Sequence, residues 1–310
     1  DPHAIPRNII VATSTKQATC HVFQWAFKHI IRAKDNVHFV HVQAQAATEQ
    51  EQEAAGQETS EFSTLCTEKG AKPKTVFLSG DVRDQLTSYA LKSAADVLVV
   101  GSRGLQGASR VFLGSVSGHV LTSASCAVCV VREAMHIEMA RPTESRRVAI
   151  ATEPASITYV FEWALLHLLQ PGDQAIFLCC FPQRKEPFAT KKLGDAPAAA
   201  DEQETKIRES LQLMIRPHSV KLHGITHEEL LIHGDAAAGL VGACHDNHVD
   251  VLVVGQRGGG AAQRAMGSVS AHVVEHCKNP VIMVRRPPDG IFEPDEEFHR
   301  IQERHEHLPI

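Results

Sequence analysis

What this chain of 310 residues lacks narrows its function before any motif is read. No stretch approaches the ~20 consecutive apolar residues of a membrane-spanning helix. The opening DPHAIPRN has no basic segment followed by an apolar one, although it does not begin with Met. A membrane partner is therefore not expected. Positive charge is also short, with Lys plus Arg at 31 against 36 for Asp plus Glu and a formal charge of -5, so no global field recruits nucleic acid. The eight cysteines sit in apolar surroundings, as at Cys66, Cys179, Cys180, Cys244 and Cys277, and not at the spacings of a disulfide framework. Reduced thiols and a soluble, cytoplasmic protein are the expectation. Neither GxxxxGK[ST] nor GxGxxG occurs, which removes the phosphate chemistry of ordinary ATPases and dinucleotide oxidoreductases. No set of paired carboxylates, base and metal ligands assembles, so no dedicated fast catalysis is expected.

What is present is a duplication. DVLVVGSRG from Asp96 returns as DVLVVGQRG from Asp250, VFQWA from Val22 as VFEWA from Val160, SGDVRDQL from Ser79 as HGDAAAGL from His233, and GSVSGHVL from Gly114 as GSVSAHVV from Gly267. Four blocks in the same order mean two homologous domains in tandem, over 1–140 and 141–290, followed by a charged tail over 291–310. At 43% hydrophobic content each half can bury its own core.

Each half alternates short β-branched runs with stretches of helical length and period. Strands are predicted at 8–13, 37–42, 74–78, 96–100 and 127–131, and at 148–152, 175–180, 229–233, 250–254 and 280–285. Helices are predicted near 16–32, 50–70, 82–94 and 115–125. Strands apolar throughout, joined by helical crossovers, imply an α/β fold: two tandem doubly wound, Rossmann-like domains, each a five-stranded parallel sheet with helices on both faces. The runs AVCVVR and PVIMVR would be exposed edges and are expected to pair with each other about a pseudo-twofold axis, an intrachain pseudo-dimer that leaves a further homodimer open. Residues 181–200 read as a loop over one end of the second sheet, and 132–146 as the link between domains. The tail from 293 to 310 has apolar residues at helical spacing, which fits an amphipathic helix and a solvated tail equally.

In open parallel sheets, ligands sit beyond the carboxyl ends of the strands. Gly101 falls at the end of a strand, Gly104 follows, and Gly114 with Ser115 opens a helix. Backbone N–H groups at such glycines and at a helix start suit a phosphate chain. Each feature alone is ordinary turn chemistry; the spacing together favours a site. The pattern G-x2-G-x9-G-S, with the VSGHVL and AVCVVR that follow it, resembles the nucleotide-binding signature of the universal stress protein family, and the similarity covers nearly all of both halves. The resemblance implies ATP or AMP, with or without Mg, the glycine loop on the phosphates and the main chain at Val42 facing the adenine. It also implies stress-response signalling through nucleotide occupancy, read by an unknown protein partner. Where ATP-binding members carry Asp after the first strand, this chain has Ser14 and, in the second copy, Glu153. The second loop, Gly255, Gly258, Gly267 and Ser268, is one residue shorter, which displaces donors by up to ~3 Å. The first half is the better candidate site and the second a candidate for degeneracy. The alternatives are a scaffold of the same fold with an empty crevice, and a slow ATP hydrolase.

Other motifs have bland readings. Ser117 in GSVSG matches a nucleophile elbow but follows a loop instead of a strand. Cys126 and Cys129 have C-x-x-C spacing with poor strand geometry. His245 and His248 lack a third metal ligand. Asp81 and Asp235 read as helix N-caps, and Trp25 and Trp163 as core.

Overall fold

The computed structural model describes residues 6–13, 16–45, 48–102, 114–132, 145–152, 157–181, 189–192, 209, 212, 222, 224–256 and 266–285. The expectations for the linker and the tail fall almost wholly outside these residues. The first half runs β1 (Asn8–Thr13), α1 (Lys16–His29), β2 (Asn36–Gln43), α2 (Glu49–Glu68), β3 (Lys72–Ser79), α3 (Val82–Lys92), β4 (Val97–Ser102), α4 (Ser115–Ser123) and β5 (Ala127–Arg132). The second runs β6 (Arg147–Thr152), α5 (Ile157–His167), β7 (Gln174–Phe181), β8 (Ala189–Lys192), β9 (Thr226–His233), α6 (Ala236–Asp246), β10 (Val251–Gly255), α7 (Ser268–His276) and β11 (Val281–Val284).

The strands are apolar on both faces because both faces are covered. Val97 and Val99 join one apolar layer with Val22 and Phe23 of α1 and Phe161 of α5. Leu98 and Val100 join the opposite layer with Leu86 of α3, Val120 of α4, Leu240 of α6 and Val273 of α7. Both layers run through the two halves, because the strands form one sheet in the order β3-β2-β1-β4-β5-β11-β10-β6-β7-β9-β8. The predicted edge pairing is present: β5 and β11 are antiparallel, with Val130 opposite Val281 and Val128 opposite Met283. One correction falls within 181–200, where a loop was expected. Ala189–Lys192 pairs antiparallel with β9, giving the second half a sixth strand. A four-residue edge strand of sequence ATKK carries no apolar alternation to announce it.

Arginines stitch the halves together. Arg7 and Arg146 stand just before β1 and β6, and each makes a paired contact with an aspartate just before the next strand, Asp35 and Asp173. Arg7 also donates to the His167 carbonyl at the end of α5, and Arg146 donates to the His29 carbonyl at the end of α1 at 2.7 Å. Arg132 donates to the carbonyls of Val274 and Glu275 in α7, and Arg285 to that of Leu121 in α4. Each guanidinium thus fills last-turn carbonyls, which lack intrahelical donors and sit at the negative end of the helix dipole.

The two histidines at these helix ends have a consequence in acid. His29 and His167 stack on Trp25 and Trp163, and neither Nδ1 has a hydrogen-bond partner. Burial, then Arg146, lowers the His29 pKa to about 3; burial, then Arg7, lowers that of His167 to about 4. Both are neutral in the fold and titrate near 6.5 when unfolded. Their contribution is therefore intact above pH 6.5 and is lost as pH falls toward the folded values, at about 1.4 kcal/mol per pH unit for each ring. Urea unfolding at pH 7 and pH 5 is expected to show this loss, and His29→Gln/His167→Gln to flatten it. An unchanged slope in the double variant would contradict the assignment.

Candidate functional site

A crevice opens where the strand order reverses. β1 lies between β2 and β4. Pairing of β1 with β2 continues to Thr13 opposite His41, and pairing of β4 with β5 continues to Ser102 opposite Arg132. Pairing of β1 with β4 stops at Val11 opposite Val99, so these strands part over their last residues. The second half repeats the arrangement. There β6 and β7 pair to Thr152 opposite Cys179, and β10 and β11 to Gly255 opposite Val284, while β6 and β10 stop at Ile150 opposite Val253. Such a switch point is where open α/β sheets hold ligands.

The walls of the first crevice are polar at the strand ends. Thr13 Oγ1 donates to the Val40 carbonyl at 3.0 Å and lies 3.1 Å from His41 Nδ1. Val42 is the first residue of β2 beyond the register of β1, and its side chain packs on the apolar layer. Gly80, at φ +127°, turns the chain out of β3. That turn lets Asp81 cap α3 by accepting from the Arg83 N–H at 2.9 Å. Asp235 does the same for α6, accepting from the Ala238 N–H at 2.7 Å.

Helices α4 and α7 are started differently. Their N-cap residues, Gly114 and Gly267, have φ of -62° and -61°, which any residue adopts, and neither helix has a side-chain cap. Glycine is therefore not demanded here by backbone conformation. It supplies no side-chain acceptor for the first N–H groups, where Ser, Thr, Asp or Asn would have covered one. The first helical bond of α4 is Gly118 N–H to the Gly114 carbonyl, so the N–H groups of Ser115, Val116 and Ser117 have no helical acceptor. Because α4 connects two parallel strands, its N-terminus lies at the crevice end of the sheet. Gly101 serves packing: a Cβ there would stand 3.1 Å from Val22 Cγ2 of α1. Neither Gly101 nor Gly114 has a positive φ.

Val42, Gly101, Gly114 and Ser115 thus fall at the same end of the first sheet, and Gly255, Gly267 and Ser268 at the same end of the second. Ser14, Gly104, Glu153 and Gly258 lie outside the described residues. The copies differ in one contact. Ser117 donates to the Gly114 carbonyl of its own turn at 3.1 Å, whereas its counterpart Ser270 reaches the Gly255 carbonyl at the strand end, also at 3.1 Å. The second helix start is tied to its strand. Thr13 and His41 were missed as wall residues, although the repeat AT-S and AT-E at 12–14 and 151–153 was a signal for the threonine.

The remaining motifs resolve plainly. Ser117 is 2% exposed inside the first turn of α4, unlike a nucleophile on a strand-to-helix elbow. Burial pushes the Cys126 thiol up to about 12 and raises that of Cys129 well above its usual value, so neither is a ready thiolate. Trp25 is core, and Trp163 packs against the same core half-buried. Among the described residues no three His, Cys, Asp or Glu side chains converge to hold a metal ion, and no helix is long and apolar enough to cross a membrane.

Comparison with known proteins agrees with the repeat. The universal stress protein YxiE of Bacillus subtilis is 35% identical over 65 residues, which is 21% of this chain and 44% of that protein, so the match spans less than half of the relative. A universal stress protein from Archaeoglobus fulgidus shares the fold, with a TM-score of 0.64 and 16% identity over 90% of this chain and 98% of that one. A universal stress protein family protein from Arabidopsis thaliana with AMP bound aligns with 44% of this chain and 98% of its own at 22% identity and a TM-score of 0.33. The model of the universal stress protein family matches twice, over residues 6–132 and 144–285. The chain belongs to the universal stress protein family and carries the family unit twice in tandem.

Proposed function

We propose that the first half binds an adenine nucleotide, ATP or AMP, in the crevice between β1 and β4, and that occupancy is the signal a protein partner reads. The observation that carries this reading is the uncapped start of α4 beside the parted strands. Three N–H groups without a helical acceptor lie at the positive end of a helix dipole, at the crevice end of the sheet, and no side chain caps the helix. A phosphate group satisfies such donors together. Ser115, exposed on the first turn, adds a hydroxyl to the same end, and Mg would be brought by the nucleotide. The main chain at Val42, past the end of β1, supplies the position at which the base would pair.

The second half is proposed as a degenerate partner, because Ser270 ties the start of α7 to Gly255. Binding changes the surface at this end of the first sheet, with no dedicated catalytic step. None of the eight cysteines forms a disulfide, which fits a reducing, cytoplasmic setting. Calorimetric titration of the purified chain with ATP and with AMP is expected to give saturable binding at about one nucleotide per chain. Absence of binding to both would leave a scaffold of the same fold, and turnover of bound ATP lost in Ser115→Ala would turn the reading toward a hydrolase.

A further inference from the structure

The end of the first sheet opposite the crevice holds a second feature. On the face covered by α3, Asn8, Asn36 and Lys72 stand side by side in register across β1, β2 and β3, and His38 and Lys74 stand in the next row. With Pro73 and Ser93 they line a pocket of about 390 Å³. The floor is built. His38 is 5% exposed, and its Nδ1 lies 3.2 Å from the Tyr89 hydroxyl. Asn36 Nδ2 donates to Asn8 Oδ1, and Asn8 Nδ2 to the Ser93 carbonyl, both at 2.9 Å. Lys72 and Lys74 are exposed at the rim, and no carboxylate among the described residues forms an ion pair with either. Asp96, at the start of β4, is engaged by the Asn8 main-chain N–H at 2.7 Å.

The second half supplies an internal comparison. The corresponding rows hold Arg147, Gln174 and Thr226, then Ile176 and Glu228. There the Arg147 guanidinium occupies the space: Nε donates to Gln174 Oε1 at 2.9 Å, one terminal nitrogen donates to the Asn247 carbonyl at 2.6 Å, and the other lies 3.7 Å from Glu228 Oε1. Asn247 ends α6 as Ser93 ends α3. Going from the second half to the first, Arg becomes Asn8, which removes the plug, and Glu becomes Lys74, which reverses the sign of the lining. The first half thus combines an open volume with two ammonium groups that have no ion-pair partner among the described residues.

We propose that this pocket binds a small molecule through an anionic group, phosphate or carboxylate, with Lys72 and Lys74 as charge partners and His38 as the hydrogen-bond donor at its floor. The volume is that of a small-molecule pocket, larger than a bare ion requires. In the tautomer in which Nδ1 accepts from the Tyr89 hydroxyl, the neutral ring carries its proton on Nε2, available to a ligand. Burial, then Lys74, lowers the His38 pKa to about 4, so the ring is neutral at pH 7. A bound anion favours the charged ring and moves that value upward.

The test is imidazole NMR of His38 in the full chain, titrated with inorganic phosphate and with citrate against sodium chloride at equal ionic strength. A saturable shift with phosphate or citrate, and a His38 pKa raised by about one unit at saturation, are expected; which probe acts assigns the anionic group. Asn8→Arg, which restores the plug of the second half, is expected to abolish the shift. Lys72→Met/Lys74→Met, at exposed positions, removes the charge with little risk to folding and is expected to weaken binding at least tenfold. No saturation with either probe, an equal response to chloride, or an unchanged response in the double lysine variant would overturn the proposal.

Discussion

Asp35→Ala is expected to destabilise the chain by about 3–5 kcal/mol, because it removes one partner of a buried ion pair and leaves the other charge uncompensated. Asp35 accepts from Arg7 Nε at 3.0 Å and from the second guanidinium nitrogen at 2.6 Å. It also accepts from the Arg32 N–H at 2.7 Å. The two side chains of the pair are only 6% and 2% exposed, so water cannot take over the lost contacts. Arg7 also holds the carbonyls of Ile30 in its own half and His167 in the other, so a displaced guanidinium releases a contact between halves. Asp173→Ala, at the corresponding position beside Arg146, is expected to have an effect of similar size. Urea denaturation of both variants checks this; a loss under about 1 kcal/mol, typical of an exposed pair, would contradict it.

Gly114→Asp separates a ligand role from a folding role. The position has an ordinary φ, and Asp is a favoured N-cap, so the variant is expected to fold with unchanged or slightly raised stability. A Cβ there comes within 3.3 Å of Ser117 Oγ, a contact that a small rotation of the hydroxyl relieves. The new carboxylate accepts from the N–H groups proposed to hold a phosphate and repels it. Loss of charge-assisted hydrogen bonds of this kind is worth about 3 kcal/mol, or roughly 100-fold in affinity. Gly267→Asp in the second half, where an added Cβ meets nothing within 4 Å, is expected to leave binding unchanged. Equal loss in both variants would make the two halves equivalent sites.

The fold was legible because burial on both faces leaves strands such as Val97–Ser102 almost wholly apolar, and because the repeat shows each element twice. Pairing of β5 with β11 followed from two apolar edges of the same composition. The short strand β8 was not legible: its place is set by the free edge of β9 and not by its own residues. At the candidate site, spacing placed Gly114 and Ser115 at a helix start, but it could not show that the glycine is not required by the turn, since only the backbone angle shows that. The spacing did not show that Gly101 also makes room for Val22, a contact between elements distant in sequence. The arginines at the domain junction were invisible for the same reason: their partners are carbonyls in the other half.

The most direct measurement of the central claim is mass spectrometry of small molecules released from freshly purified protein, beside the same preparation of Gly114→Asp. ATP or AMP at about one per chain, lost in the variant while its unfolding transition is retained, is the result expected of a nucleotide site at the start of α4. Absence of nucleotide from the unmodified chain, together with no ATP or AMP binding in titration, would contradict it and leave the open helix start as architecture without a ligand.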